Sequence, residues 1–363
     1  MNANSSPVKI EAWLRQAAEK LQNSNVSTAR LDALVLLEDA TGKDRSWLLA
    51  HPEHKLTKST QEKLDKQIER RCDHEPLAYI RGKSEFYGHE FHVNAHTLEP
   101  RPETETMIDL LKGLVDSRQL TVNSKAQEKE QSTSDKRKST KNDKGLTSAQ
   151  LQYLDGAQGT SEQRTESYMK YDEGEAQLAT QRSAKSIGGV ASSAGQQADA
   201  ILTIVDVGTG SGCIAITAKL LYPQADVIAT DIDKKCLATA QKNVEKLGAN
   251  VAFRHDNLLE PLSDIKYHTS NIIILANLPY VPTHFELNSA AQHEPKHAIF
   301  GGSDGLHYYR ELFNQIDKLP AKPRFIFTEA LPPQHDDLQA IAKATNYHLL
   351  QQQDFIQVFE FKK

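Results

Sequence analysis

Short apolar runs alternate with helical patterns in the carboxyl-terminal half of the chain, and this alternation constrains the fold more than any other feature. The runs are rich in β-branched and aliphatic residues, which is typical of strands buried on both faces of a parallel sheet. We therefore predict a doubly wound α/β sheet. The predicted strands are Ile201–Val207, Val227–Thr230, Val251–Arg254, 272–276 and Phe325–Phe327, with a closing antiparallel pair at Tyr347–Leu350 and Phe355–Phe361.

The strand predicted at 272–276 stops at Asn277, and Pro279 lacks the N–H that a sheet ladder needs. Asn277 is therefore expected at the carboxyl end of a central strand, where open α/β sheets bind ligands. The Asn277 side-chain oxygen and the Leu278 carbonyl can each accept one N–H, while Tyr280 can lie on a flat face. This arrangement suits a planar amino group. For the motif alone, an ordinary exit from strand to loop is the competing interpretation.

A glycine turn follows the first predicted strand and precedes a helix. Glycines allow positive φ and let a ligand approach the backbone closely, so the turn is a candidate ligand site. It is not a Walker loop, and its GxGxG spacing differs from the GxGxxG of dinucleotide-binding proteins, although a dehydrogenase stays possible on this motif alone. The residues of the turn are Gly208, Thr209, Gly210, Ser211 and Gly212.

The next two predicted strands also end in polar residues. Asp231 lies about twenty residues beyond the glycine turn, where a carboxylate can accept hydrogen bonds from both hydroxyls of a ribose. Asp256 or Asn257 ends the third strand and can reach an adenine amino group, with Leu258 packing on the ring. Together with Asn277, which we also count as a cofactor contact, these strand ends describe a nucleoside site with a second substrate opposite.

The rest of the chain divides by composition into three parts. Residues 1–75 read as a small helical bundle for docking or substrate recognition, and residues 76–105 as a hairpin linker. Residues 106–363 hold the α/β pattern, interrupted at 117–199 by a polar segment with few aliphatic residues. Such a segment buries too little apolar surface to fold, so we predict a disordered insertion. A basic RNA-binding patch is the alternative for this segment.

Composition excludes several classes of protein. The formal net charge of -5 gives no sign of a nucleic-acid binder. No stretch is apolar and long enough to span a membrane, and residues 1–7 lack the core of a signal peptide. Cys72, Cys213 and Cys236 are isolated from one another, so we expect neither a metal site nor a disulfide framework, and a cytoplasmic location fits.

Several motifs carry a resemblance to known families. The glycine turn, Asp231 and the Asn-Leu-Pro-Tyr of 277–280 resemble class I S-adenosylmethionine-dependent methyltransferases, which have a Rossmann-like sheet. Three further segments closely resemble the bacterial protein-glutamine methyltransferases that modify peptide chain release factors. The three segments are EPLAYIRGKSEFYG at 75–88, PRPETE at 100–105 and FGGSDGLHYYRELF at 300–313.

This resemblance implies a cofactor, a substrate and their contacts. S-adenosylmethionine would bind at the glycine turn and Asp231, and the substrate would be the glutamine of a release factor's Gly-Gly-Gln motif. The resemblance places Asn277, Leu278, Pro279 and Tyr280 at the reacting glutamine. In the PRPETE segment, Arg101 and Glu103 are expected substrate contacts. We expect a monomer that binds neither membranes nor nucleic acid directly.

The chain also departs from the family pattern at three positions. Leu278 stands where the family usually has Pro, and Glu99 where it prefers an apolar residue. Asn257 stands at the position expected to be acidic, with Asp256 one residue before it. The adenine contact is therefore open between these two residues.

A carboxamide nitrogen is a poor nucleophile because its lone pair is delocalised into the carbonyl. Two acceptors at Asn277 and Leu278 would align the amide and stabilise the positive charge that develops on its nitrogen. Three alternatives stay open: a ribosomal-protein glutamine methyltransferase, a ribosomal RNA or DNA adenine methyltransferase, and a cofactor-binding protein without activity. The adenine alternative is specific, because Asn-Leu-Pro-Tyr also occurs in ribosomal RNA adenine dimethyltransferases.

Overall fold

The computed structural model describes residues 8–118, 202–260 and 271–362. Of the predicted insertion at 117–199, Ser117 and Arg118 end a helix, and the remainder lies outside the described residues. Within the described ranges, no helix is both long and apolar enough to cross a bilayer.

Four helices at the amino-terminal end pack around one apolar cluster. Trp13, Leu14 and Leu21 fall on one face of the first helix because helical neighbours recur every three to four residues. Asp44 and Thr57 cap the third and fourth helices through hydrogen bonds from the backbone N–H of Trp47 and Thr60. The helices are α1 (Ile10–Asn23), α2 (Ala29–Thr41), α3 (Arg45–Ala50) and α4 (Lys58–Cys72).

A short helix and a β-hairpin follow the bundle. The helix α5 (Leu77–Arg81) contains Tyr79 and Ile80, so this part of the predicted hairpin linker at 76–105 is helical. The hairpin consists of β1 (Lys83–Phe86) and β2 (His89–His92), which pair antiparallel. Tyr87 and Gly88 form the two-residue turn, and both have positive φ, which matches the right-handed twist of the strands. The long helix α6 (Pro102–Arg118) comes next.

The remaining elements form one seven-stranded sheet with its helices. Its strand order is β5-β4-β3-β6-β7-β9-β8. The first five strands in this order are parallel, and β9 pairs antiparallel with both β7 and β8. The elements are β3 (Thr203–Val207), α7 (Cys213–Leu221), β4 (Asp226–Asp231), α8 (Lys234–Leu247), β5 (Ala252–His255), β6 (Ile272–Ala276), α9 (His307–Lys318), β7 (Phe325–Glu329), α10 (His335–Lys343), β8 (Tyr347–Gln353) and β9 (Ile356–Phe361).

Two apolar clusters cover the two faces of this sheet, which confirms the predicted Rossmann-like fold class. Successive residues of β3 alternate between them, with Ile204 in one cluster, and Val205 and Val207 in the other. The two final strands were predicted with a turn at 351–354 between them, and the turn is shorter than that. Gln351–Gln353 extend β8 through their pairing with β9, and the chain reverses at Asp354, which has positive φ.

Candidate active site

The order of strands reverses between β3 and β6, which lie side by side. Val207 and Ala276, the last residues of these strands, are paired with each other. Asp231 and His255 end β4 and β5 at the same edge, again as a pair. In an open α/β sheet, the loops diverge at such a point and leave a crevice for ligands.

A cavity of about 310 Å³ lies at this edge. Most of the residues predicted from sequence line it, whereas Gly212, Tyr280 and Glu103 do not. The predicted residues that line the cavity are Arg101, Gly208, Thr209, Gly210, Ser211, Asp231, Asp256, Asn257, Leu258, Asn277, Leu278 and Pro279. The structure therefore leaves the choice between Asp256 and Asn257 open, because both are present.

The glycine turn is shaped by its neighbours on both sides. At Gly208, with φ of +73°, an added Cβ would lie 3.0 Å from Cδ2 of Leu278, so the turn packs against the Asn277 loop. At Gly212, an added Cβ would lie 3.0 Å from the Cβ of Ala240 on α8. Gly212 thus permits close packing of the turn against a helix and does not face the cavity.

Asp231 braces the glycine turn as well as lining the cavity. Its Oδ2 accepts a hydrogen bond from the Gly210 N–H and its Oδ1 accepts one from the Asp233 N–H, both at 2.8 Å. Burial raises the pKa of Asp231, while these two N–H donors oppose the shift. Each carboxylate oxygen has a second lone pair, so Asp231 retains acceptor capacity for a ligand.

The sequence did not single out Asp206, which supports the same turn from inside the sheet. Its Oδ2 accepts hydrogen bonds from the Thr209 hydroxyl (2.6 Å) and the Ala215 N–H (3.1 Å). Burial raises the pKa of Asp206 to about 7, and repulsion from Asp231 adds to the shift. The sequence signal was an acidic residue inside an otherwise apolar strand.

A second residue that the sequence did not single out is Ile232, directly after Asp231. It is 64% exposed and lines the cavity together with Leu258, whose φ is +57°. The two side chains give this part of the cavity an apolar surface. The available signal was a large aliphatic residue in a polar loop.

The Asn277 side chain is held by the first turn of α6. Its Nδ2 donates a hydrogen bond to the Thr104 hydroxyl at 3.0 Å, which leaves Oδ1 as an acceptor. The Leu278 N–H donates to the Tyr309 hydroxyl at 3.3 Å. None of the described residues donates a hydrogen bond to the Leu278 carbonyl. The two acceptors that the sequence predicted are therefore both available.

The segment at 300–305 supports the backbone of this loop. Val281 and Phe300 form a parallel bridge, and the Gln334 side-chain amide donates to the Tyr280 carbonyl at 2.8 Å. A Cβ at Gly301 would collide with the Pro279 carbonyl oxygen. Glycine is therefore required for the close approach that fixes the loop.

Tyr280 and Arg101, both predicted to contact the substrate, each bind a buried glutamate. The Tyr280 hydroxyl donates to Glu329 Oε1 at 3.1 Å, and Tyr280 is not among the residues lining the cavity. Arg101 donates from Nη2 to Glu294 at 2.6 Å, and its Nη1 lies 3.9 Å from Glu99. Glu99, the departure from the family pattern, is thus one of two carboxylates that flank the Arg101 guanidinium.

Comparison with known proteins adds independent findings. A family profile described as "PrmC N-terminal domain" matches residues 12–82, and one described as "Methyltransferase small domain" matches residues 196–293. A release factor glutamine methyltransferase of Bacillus subtilis (strain 168) is 30% identical over 299 residues, which cover 82% of this chain and 76% of that protein.

Other relatives are larger than this chain. A protein named bifunctional methyltransferase from Rickettsia typhi is 31% identical over 305 residues, which cover 83% of this chain but 46% of the relative. The chain thus spans about half the length of the first curated relatives that it matches. Among solved structures, a ribosomal protein L11 methylase from Lactobacillus delbrueckii subsp. bulgaricus matches 45% of this chain and 71% of its own, with 18% identity and a TM-score of 0.30.

Proposed function

The chain belongs to the release factor glutamine methyltransferase family, and we propose that it transfers a methyl group from S-adenosylmethionine to the side-chain amide nitrogen of the glutamine in a release factor's Gly-Gly-Gln motif. The observation that carries this proposal is the pair of acceptors at the end of β6, Asn277 Oδ1 and the Leu278 carbonyl. They belong to adjacent residues that line one cavity with the glycine turn.

The polar and apolar groups that line the cavity suit S-adenosylmethionine. The free acceptor capacity of Asp231 suits a ribose, the apolar surface of Ile232 and Leu258 suits an adenine ring, and the glycine turn admits a ligand close to its backbone. When bound, the cofactor supplies an electrophilic methyl group on a sulfonium. Asp256 and Asn257 are both candidates for the adenine amino group.

On the acceptor side, the residues of the chain act through position and charge. Asn277 Oδ1 and the Leu278 carbonyl accept the two N–H groups of the glutamine amide and so fix the direction of the nitrogen lone pair. As positive charge develops on nitrogen, the same two oxygens stabilise it. The proton is lost after transfer, so the step itself requires no strong base at the nitrogen.

A protein acceptor is better supported than RNA or DNA. Arg101 is the guanidinium that lines the cavity, and Glu294 and Glu99 already flank it, so its charge is balanced before any phosphate approaches. We further propose that residues 1–75 dock the body of the release factor, that residues 76–105 link them to the catalytic region at 106–363, and that the enzyme acts as a monomer.

The test is methylation of a release factor with S-adenosylmethionine that carries an isotopically labelled methyl group, read by mass spectrometry. We expect one labelled methyl group on the glutamine of Gly-Gly-Gln and none after that glutamine is replaced by alanine. A ribosomal-protein fraction and purified ribosomal RNA serve as competing acceptors. Transfer to either of these, with none to the release factor, would overturn the proposal.

A further inference from the structure

Glu329 is a buried carboxyl directly behind the Asn277 loop. It ends β7, is 1% exposed and does not line the cavity. Its Oε1 accepts a hydrogen bond from the Tyr280 hydroxyl, while its Oε2 is buried and has no well-formed hydrogen bond among the described residues. A buried carboxyl with this surplus acceptor capacity favours hydroxyl groups that turn their hydrogens towards it.

Thr104 and Asn277 both lie close to this carboxyl. Thr104 is 2% exposed, and its hydroxyl receives the Asn277 Nδ2–H at 3.0 Å and lies close enough to Glu329 to favour the charged form of the carboxyl. A hydroxyl carries one hydrogen to donate. Because Thr104 accepts from Asn277, that hydrogen is available for Glu329.

The charge of Glu329 decides the direction of this chain of hydrogen bonds. An ionised carboxylate only accepts, so Thr104 must donate to it and must accept from the amide of Asn277. The amide then presents its oxygen to the cavity. A protonated Glu329 can instead donate to Thr104, which can then donate to Asn277 Oδ1. The reversed amide would present its NH2 group to the cavity, and an NH2 group cannot accept an N–H from the substrate.

We propose that ionised Glu329 is a positioning residue that acts on the Asn277 amide, directly and through Thr104, to keep the Asn277 side-chain oxygen facing the acceptor nitrogen. This role rests on the proposed methyl transfer to an amide. It adds two residues to the acceptor site, neither of which has to touch the reacting atoms.

Titration of Glu329 makes the role measurable. Burial raises the pKa of Glu329 to about 7, the nearby side chains of Thr104, Tyr280 and Asn277 oppose the shift, and repulsion from Glu103 adds to it. Tyr309 also interacts electrostatically with Glu329. Because the ionised form is the active one, kcat should fall about tenfold per pH unit below this pKa and level off above it.

The experiment measures kcat for methylation of a release factor between pH 5.5 and 8.5, at saturating cofactor and substrate. For Glu329→Gln, whose amide can donate to Thr104, we expect at least a tenfold loss of kcat at pH 8 and unchanged cofactor affinity. The fall of kcat at low pH, which we call the acidic limb, should be lost. Glu329→Asp, which keeps the charge, should retain an acidic limb. Thr104→Val removes both the acceptor of the Asn277 N–H and a donor to the carboxyl, so it should lower kcat and move the acidic limb to higher pH.

Two neighbours should move the limb in opposite directions. Glu103→Gln removes a repelling charge and should shift it to lower pH, whereas Tyr280→Phe removes a stabilising donor and should shift it to higher pH. Tyr347→Phe is the matched control. Tyr347 belongs to the apolar cluster against which Tyr280 packs, and the substitution removes one buried hydroxyl, which donates to the Pro323 carbonyl. It should change neither kcat nor the limb.

The outcomes separate this inference from the proposed function. A wild-type enzyme that does not methylate the release factor overturns the proposed function. An active wild type without an acidic limb overturns the role of Glu329, as does a Glu329→Gln variant that keeps the limb and kcat. Should Glu329→Gln fail to fold by circular dichroism, Thr104→Val decides, and full retention of kcat and limb in that variant refutes the chain of hydrogen bonds.

Discussion

The cofactor side and the acceptor side of the cavity are built in different ways. The cofactor side comes from one stretch of chain between Asp206 and Leu258, in which two carboxylates brace the glycine turn through hydrogen bonds. The acceptor side brings together Thr104, Asn277 and Glu329 from separate segments through side-chain hydrogen bonds. A local backbone site tolerates changes elsewhere, whereas a site assembled from distant side chains fails if one contributor is removed.

The largest expected effect tests whether the two sides are separable. Asn277→Ala removes one of the two acceptors and should lower kcat by about 10²–10³-fold, as loss of a preorganised polar contact at developing charge does. Calorimetry should show unchanged affinity for S-adenosylmethionine. Preserved turnover with weakened cofactor binding would mean that Asn277 contacts the cofactor and not the acceptor.

A second substitution tests whether the loop needs its glycine support. Gly301→Ala places a Cβ against the Pro279 carbonyl oxygen, and we expect a loss of about 1–3 kcal/mol in the free energy of unfolding, with a fall in turnover. Gly113→Ala is the control, because nothing lies within 4 Å of an added Cβ there and the residue is inside α6. The control should stabilise the protein by about 0.5–1 kcal/mol in thermal melting. Equal behaviour of the two variants would contradict the proposed support.

The cofactor side should respond to Asp231→Ala with a weaker affinity and little change in kcat at saturation. Loss of hydrogen bonds to a charged group predicts about 1.5–3 kcal/mol in the calorimetric binding free energy. Asp226→Ala, at the exposed opposite end of β4, is the matched control and should bind normally. A folded Asp231→Ala protein with wild-type affinity would refute the assignment.

The smallest effect is expected for Leu278→Pro, which restores the residue usual in the family. Pro keeps the carbonyl but removes the N–H that donates to Tyr309, a long bond whose loss should cost about 0.5–1.5 kcal/mol in stability. Turnover should stay within a few fold of wild type in the release-factor assay. A loss of turnover comparable to that of Asn277→Ala would show that the Leu278 N–H helps to hold the substrate amide.

The same division explains what could be predicted from the sequence. The glycine turn, Asp231 and Asn277 are recognisable because each follows an apolar strand directly, so local pattern places them at one edge of the sheet. Thr104 carries no such signal, since a Thr between two acidic residues in a first helical turn has an ordinary local explanation. Its partner Asn277 is 173 positions away, and only the folded structure brings them together.

Tyr280 and Tyr79 show the complementary limit. An aromatic residue after the Asn-Leu-Pro segment was expected to face the ligand, but the buried carboxyl of Glu329 offers its hydroxyl a hydrogen bond on the other side. Tyr79 was expected in the hairpin, yet its hydroxyl donates to the Thr97 carbonyl from a short helix. In both cases a hydrogen bond to a distant residue decided the orientation, and such a bond leaves no local pattern.

The long separation between Thr104 and Asn277 has a consequence during biosynthesis. The ribosome makes Thr104 early, then the whole cofactor side, then Asn277, and Glu329 last among these residues. A nascent chain that has emerged through β5 already carries the glycine turn and Asp231, while its acceptor side still lacks two members. Because a domain folds as a unit and β3 lies between β4 and β6 in one sheet, the cofactor side cannot be completed before β6 has emerged. A chain stalled before β7 is complete would still lack Glu329 on its acceptor side.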